Sequence, residues 1–187
     1  MNVGERILAS LFSATTARTA GFNSVDTGSL TSASKLLTCV LMFIGGSPGS
    51  TAGGIKTTTI FILVVSLWSG ITDRHKTAVF KRRFEDDAIK KASTVFTLNM
   101  FLAIFALFTI LAITDLSLSD VMFEVFSAIG TVGMTTGITR DLSSAARIII
   151  MVLMFCGRVG SLSFALTFLQ GKKDPPVYYP EEEISVG

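Results

Sequence analysis

The sequence predicts an all-α integral membrane fold built from repeated helix–turn–helix units, on three observations. The first is hydropathy in blocks. Mean hydropathy is +0.60, and residues 92–114 carry no charge over a length that crosses a bilayer core of about 30 Å. Residues 148–169 form a similar block interrupted only by Arg158. The second is an internal repeat. Thr19-Ala20-Gly21-Phe22 recurs as Thr131-Val132-Gly133-Met134, and the same offset lays Lys35 on Arg147 and residues 40–45 on 152–157. A solenoid unit is usually shorter and soluble, whereas each copy here joins a polar Thr/Gly turn to a long apolar segment. The third is an interruption. The apolar stretch 36–70 is too long for one span and is broken by Gly45-Gly46-Ser47-Pro48-Gly49.

Each element follows from its residues. Residues 5–17 read as a short amphipathic helix leading into the first turn, and residues 120–127 are its counterpart, with Ser119 or Asp120 suited to cap it. Both are too short to span, so each dips into the membrane and returns through its turn. Non-helical backbone at that depth must be buried in protein or line water. The second copy is preceded by its own span, 92–114. The first copy is not, so half a repeat is expected to be missing before Met1. No cleavable signal peptide is expected at the start.

Net charge is only +2, but its distribution is informative. Arg74, Lys76, Lys81, Arg82, Arg83, Lys90 and Lys91 crowd one polar segment, and Lys172 and Lys173 follow the last apolar block. The positive-inside rule makes both segments cytoplasmic and residues 115–140 external. Glu85-Asp86-Asp87 inside the basic cluster argues against nucleic acid. Cys39 and Cys156 lie in apolar helices at non-equivalent positions, where a thiol acts as a small buried hydrophobe. His75 is the only histidine and has no ligand partners nearby, so neither a disulfide nor a metal site is expected.

Three features carry chemistry. A cation leaving water needs oxygen ligands, and backbone carbonyls of converging turns supply them. Gly21 and Gly133 are the residues that tolerate the positive φ such turns require. The short helix before each turn points its partially negative C-terminus into the membrane, which favours a cation there. The second feature is Gly45-Gly46-Ser47-Pro48-Gly49-Ser50-Thr51-Ala52-Gly53-Gly54-Ile55-Lys56. Gly49 to Gly54 has phosphate-loop spacing, but Ile55 displaces Lys56 from the position next to the glycine, and no strand precedes it. A helix broken at membrane depth, lining the aqueous path below the turns, fits better. The third is Arg158, a guanidinium inside a span, placed to donate to that loop's free carbonyls.

At these residues the sequence resembles the Trk/Ktr/HKT superfamily of potassium transporters, most closely the membrane subunit of bacterial Ktr systems. The matching stretches are residues 16–23, 45–59, 130–137 and 157–160, with Tyr179-Pro180-Glu181-Glu182-Glu183 similar to the family's tail. The resemblance implies helix–pore-loop–helix repeats related by pseudo-rotational symmetry, with one broken gating helix. It makes Thr19, Ala20, Gly21 and Phe22, with Thr131, Val132, Gly133 and Met134, the ion selectivity filter. Potassium would then be held by backbone carbonyls near Gly21 and Gly133. Gly45, Gly46, Ser47, Pro48, Gly49, Ser50, Thr51, Ala52, Gly53, Gly54, Lys56 and Arg158 become the gate. Four units follow: a partial repeat (1–70), a cytoplasmic basic linker (71–91), a complete repeat (92–170) and a cytoplasmic tail (171–187).

The function implied is potassium uptake across the plasma membrane, with sodium a second candidate ion, as the C-terminal half of a translocating subunit. The alternative is a truncated, non-conducting membrane scaffold. No enzyme activity and no cofactor are expected. Partners expected from the resemblance are a cytosolic nucleotide-binding regulatory ring, the missing N-terminal half or a second membrane subunit in a homodimer, and the lipid bilayer.

Overall fold

Helix α1 (Val3–Thr16) starts where the Glu5 carboxylate accepts the Asn2 N–H at 2.8 Å, the return half of a capping box. The computed structural model describes residues 2–72, 78–79 and 82–160. Arg74, His75, Lys76 and Lys81, residues 161–169 of the last expected span, and the tail 171–187 lie outside these. Helix α2 (Ser32–Phe43) is capped by Thr31, whose hydroxyl accepts the Ser34 N–H at 3.3 Å. It stops where the glycine-rich run begins, and α3 (Thr57–Ile71) resumes beyond it. A two-residue antiparallel pair, β1 (Ala78–Val79) with β2 (Arg82–Arg83), precedes α4 (Asp86–Ile113). Helix α5 (Leu118–Ile129), a single 3₁₀ turn (Ile138–Arg140) and α6 (Ser144–Val159) complete the described chain.

Helix α4 has 28 residues, about 42 Å at 1.5 Å per residue. Among the described residues it is the one helix long and apolar enough to cross a membrane. It begins six residues before the expected span, so Lys90 and Lys91, read as linker, lie within its early turns. Asp86 and Asp87 in the first turn complement the positive end of the helix dipole. The helix turns Phe101, Ile104, Phe105 and Phe108 outward, and buries Ala103, Ala106 and Ile110. Bulky residues outside and small ones at the helix contact is the pattern of helices packed in lipid, where close backbone approach replaces hydrophobic exclusion.

The core gathers around α5. Val121, Phe123, Val125, Ala128 and Ile129 are all buried, so this short helix is covered on every side. It packs on α2, α4 and α6. Gly157 lets α6 close on its C-terminus: a β-carbon there would lie 2.2 Å from the Ile129 carbonyl oxygen. The cap of α5 is Ser117, whose hydroxyl accepts the Asp120 N–H at 3.3 Å, rather than Ser119 or Asp120. Asp120 is engaged elsewhere, by Lys35 of α2 at 2.8 Å. Cys39 and Cys156 are buried free thiols. Buried Asn99 donates within its own helix to the Val95 carbonyl at 2.8 Å.

Candidate functional site

The two Thr-x-Gly turns have the same backbone signature. Thr19 (φ 65°) and Gly21 (φ 73°) are left-handed after α1, as are Thr131 (φ 51°) and Gly133 (φ 86°) after α5. For glycine this is free; for a β-branched threonine it costs about 1–2 kcal/mol, so surrounding bonds must impose it. They are present. The Thr16 carbonyl accepts the N–H groups of Ala20 and Gly21, both at 3.1 Å, and the Thr16 hydroxyl donates to the Phe22 carbonyl at 2.8 Å. In the second turn Thr131 N–H donates to the Ala128 carbonyl at 3.1 Å and Val132 N–H to that of Ser127 at 2.9 Å.

The turns touch each other. A β-carbon on Gly21 would lie 2.1 Å from the Val132 carbonyl oxygen, so only glycine permits the approach. The Thr19 hydroxyl donates across the contact to the Gly130 carbonyl at 3.4 Å. Gly133, the counterpart of Gly21, has no atom within 4 Å of an added β-carbon.

Residues 45–56 form a loop closed at its neck. Gly45 N–H donates to the Ile55 carbonyl at 2.8 Å, Ile55 N–H to that of Phe43 at 3.1 Å, and Thr57 N–H to that of Gly46 at 3.2 Å. Its tip meets the second turn, where Gly53 N–H donates to the Thr131 hydroxyl at 3.0 Å. A β-carbon on Gly53 would stand 2.4 Å from that oxygen. Three cations supply the loop's carbonyls with donors. Arg158 reaches Thr51 at 2.5 Å; Lys56 folds back onto Ser50 at 3.2 Å and also onto Ala52; Arg18 reaches Ile44 at 2.9 Å and Gly45 at 3.4 Å. The ion pairs among the described residues, Lys35–Asp120, Arg83–Asp86 and Lys91–Asp87, use none of the three. Lys56 is thus spent on its own loop, not extended toward an anion as a phosphate-loop lysine would be.

At the other end of α5, Lys35 and Asp120 bind with side chains 11% and 24% exposed. The hydrogen bond from Lys35, and then that from the Ser117 hydroxyl at 2.6 Å, hold the Asp120 carboxyl below its usual range. Buried Glu124 accepts from the hydroxyls of Thr135 and, at 3.1 Å, Thr139, bracing the chain just beyond the second turn. Arg147, the sequence counterpart of Lys35, donates instead to the Arg140 carbonyl at 2.7 Å.

The structure therefore brings the residues 19–22, 131–134, 45–56 and Arg158 into one connected site. Sequence reasoning missed Arg18 and Glu124. Arg18 stands beside the Thr-x-Gly motif but binds carbonyls of another element, a relation without a local pattern. Glu124 carried one usable signal, a carboxylate set between apolar residues, Met122, Phe123, Val125 and Phe126, in a short helix.

A family model described as "TrkH: Cation transport protein" matches residues 1–174. The Ktr system potassium uptake protein B of Bacillus subtilis is 36% identical over the whole chain, which covers 42% of that relative. The potassium/sodium uptake protein NtpJ of Enterococcus hirae is 37% identical over 98% of the chain and 42% of the relative. The crystal structure of the potassium transporter TrkH from Vibrio parahaemolyticus superposes with a TM-score of 0.64 at 21% identity, over 83% of this chain and 35% of that one. That likeness supports the fold. The chain spans about two fifths of the length of these curated relatives.

Proposed function

The chain belongs to the TrkH family of cation transport proteins, and from this premise we propose that it supplies two walls of a potassium pore. It serves potassium uptake as the C-terminal part of a Ktr-type translocating subunit, in an assembly whose remaining walls come from outside this sequence. The family is one of transporters rather than enzymes, and its location is the membrane. The observation that carries the proposal is the contact of the two turns, each with threonine and glycine left-handed, at Gly21 and Val132. Left-handed residues alternating along a turn re-aim successive carbonyls, as a ring of cation ligands requires. Gly133, open on its own contact side, faces where a further wall would pack.

Helix–pore-loop–helix repeats around a pseudo-rotational axis then account for the shared signature. The filter consists of Thr19, Ala20, Gly21 and Phe22 with Thr131, Val132, Gly133 and Met134, and potassium is held by backbone carbonyls near Gly21 and Gly133. The loop 45–56, held across the path by Lys56 and Arg158, is the gate. The basic segment 71–91 and the tail are cytoplasmic, where a nucleotide-binding ring reaches them. Sodium is the second candidate ion, since one of the relatives is named for both ions.

The test is growth of a potassium-uptake-deficient strain at limiting potassium. Co-expression of this chain with the remaining part of a full-length relative restores growth if the proposal holds. Growth that stays at the level of the empty vector, with both parts in the membrane, leaves the non-conducting scaffold.

A further inference from the structure

We propose that Arg18 is the fixed anchor of the gate loop: it ties the neck of the loop to the first filter turn and so shapes the ion path while the tip moves. This rests on the pore reading above and adds a positioning residue to it.

The loop is held differently at its two ends. At the neck, main-chain bonds join Gly45 to Ile55 and Ile55 to Phe43. Arg18 adds the guanidinium contacts to Ile44 and Gly45, at 2.9 and 3.4 Å. These carbonyls lie at and just beyond the C-cap of α2, where no further helical turn supplies donors. A guanidinium, always charged and with several donors in one plane, suits such a pair of oxygens. The other end of the connection is equally constrained. Ala17 is fully buried, Arg18 N–H donates to the Thr15 carbonyl at 3.0 Å, and the next residue is left-handed Thr19. The neck therefore cannot shift without pulling on the first turn.

The tip has no such fastening. Two single hydrogen bonds tie it to the rest of the protein, from Arg158 to Thr51 and from Gly53 to Thr131; its other bonds come from within the loop, from Lys56 to Ser50 and Ala52 and from the Ser50 N–H and hydroxyl to the Ser47 carbonyl at 3.1 and 2.6 Å. Gly49 (φ 81°) and Gly54 (φ 67°) bracket it as points where backbone torsion changes easily. Motion is thus assigned to residues 49–54 and immobility to the neck. The two arginines divide the work: Arg158 latches the tip, and Arg18 holds the neck and with it the filter.

The experiment compares Arg18→Gln, Arg18→Lys and Arg158→Gln in the transporting assembly, as tracer uptake of potassium and of sodium per amount of membrane-inserted protein. Arg158→Gln raises potassium uptake and leaves the potassium-to-sodium ratio within about twofold of the parent, as for an independent site. Arg18→Gln lowers that ratio by at least about fivefold, the lower end of ordinary coupling between sites. Arg18→Lys, with one ammonium for two carbonyls, falls between Gln and the parent. If Arg18→Gln fails to accumulate, the comparison of Arg18→Lys with the parent decides, with a reduced ratio expected. An unchanged ratio in the Arg18 variants, or higher uptake at an unchanged ratio as in Arg158→Gln, overturns the anchor. Absence of uptake by the parent assembly is a separate result, which strikes the pore reading itself.

Discussion

Gly21 and Val132 meet backbone to backbone: a β-carbon on Gly21 would lie 2.1 Å from the Val132 carbonyl oxygen. The equivalent glycine of the other turn, Gly133, has an equally left-handed φ but open space around it. Two physical effects usually confounded at a glycine, backbone strain and steric exclusion, are separated here between the two copies.

Gly133→Ala should therefore act through strain alone, costing about 1–2 kcal/mol of local stability. Gly21→Ala carries the same strain and also forces the two turns apart. Thermal unfolding of the purified chain in detergent checks this, with the larger loss of melting temperature expected for Gly21→Ala.

Deleting part of residues 49–54 should raise flux, because the tip stands against Thr131 of the second turn. Arg158→Gln should move flux in the same direction by removing the donor to Thr51. Potassium uptake normalised to assembled protein measures both, and unchanged flux after shortening removes the loop from the gate.

The Lys35–Asp120 pair gives a pH dependence with a defined sign. Because the folded carboxyl titrates below its ordinary value of 3.8, its contribution to stability is fully present above that pH. It is lost as the pH falls through the lower folded value. Asp120→Asn should cost about 1 kcal/mol at neutral pH, the upper end for a partly exposed pair. The gap between parent and variant should narrow only below pH 3.8, as read by thermal unfolding across acidic pH.

Charge reversal at Lys81, Arg82 and Arg83 should weaken co-purification with a nucleotide-binding ring, and the difference from the parent should shrink at high salt, which screens charge–charge interactions. Retained binding, with topology verified by protease accessibility, assigns these residues to topology or anionic lipid instead.

The sequence announced some of this site and concealed the rest for identifiable reasons. Gly21 and Gly133 were legible because a glycine after Thr-x in both copies signals positive φ, and both adopt it. The left-handed backbone of Thr19 and Thr131 was not, since β-branched residues avoid that region unless neighbouring bonds impose it. The break after α2 was legible from five residues containing three glycines and a proline. The closure of its neck was not, because the Gly45–Ile55 pairing depends on the path of the loop. Ser117, Ser119 and Asp120 all suit a helix cap, and only the partner Lys35, on another helix, decides among them. The first turns of α4 were not legible because Lys90 and Lys91 signal an aqueous segment, while helical backbone runs continuously through them from Asp86.

The central claim is that the two turns select the ion. Its most direct measurement is tracer rubidium uptake by the transporting assembly in competition with potassium or sodium, for the parent and for Gly133→Ser. Potassium should compete far better than sodium in the parent, and the difference should shrink in the variant, whose side chain disfavours the left-handed geometry at that turn. Competition in the same ratio for both proteins, at equal membrane amounts, would contradict it.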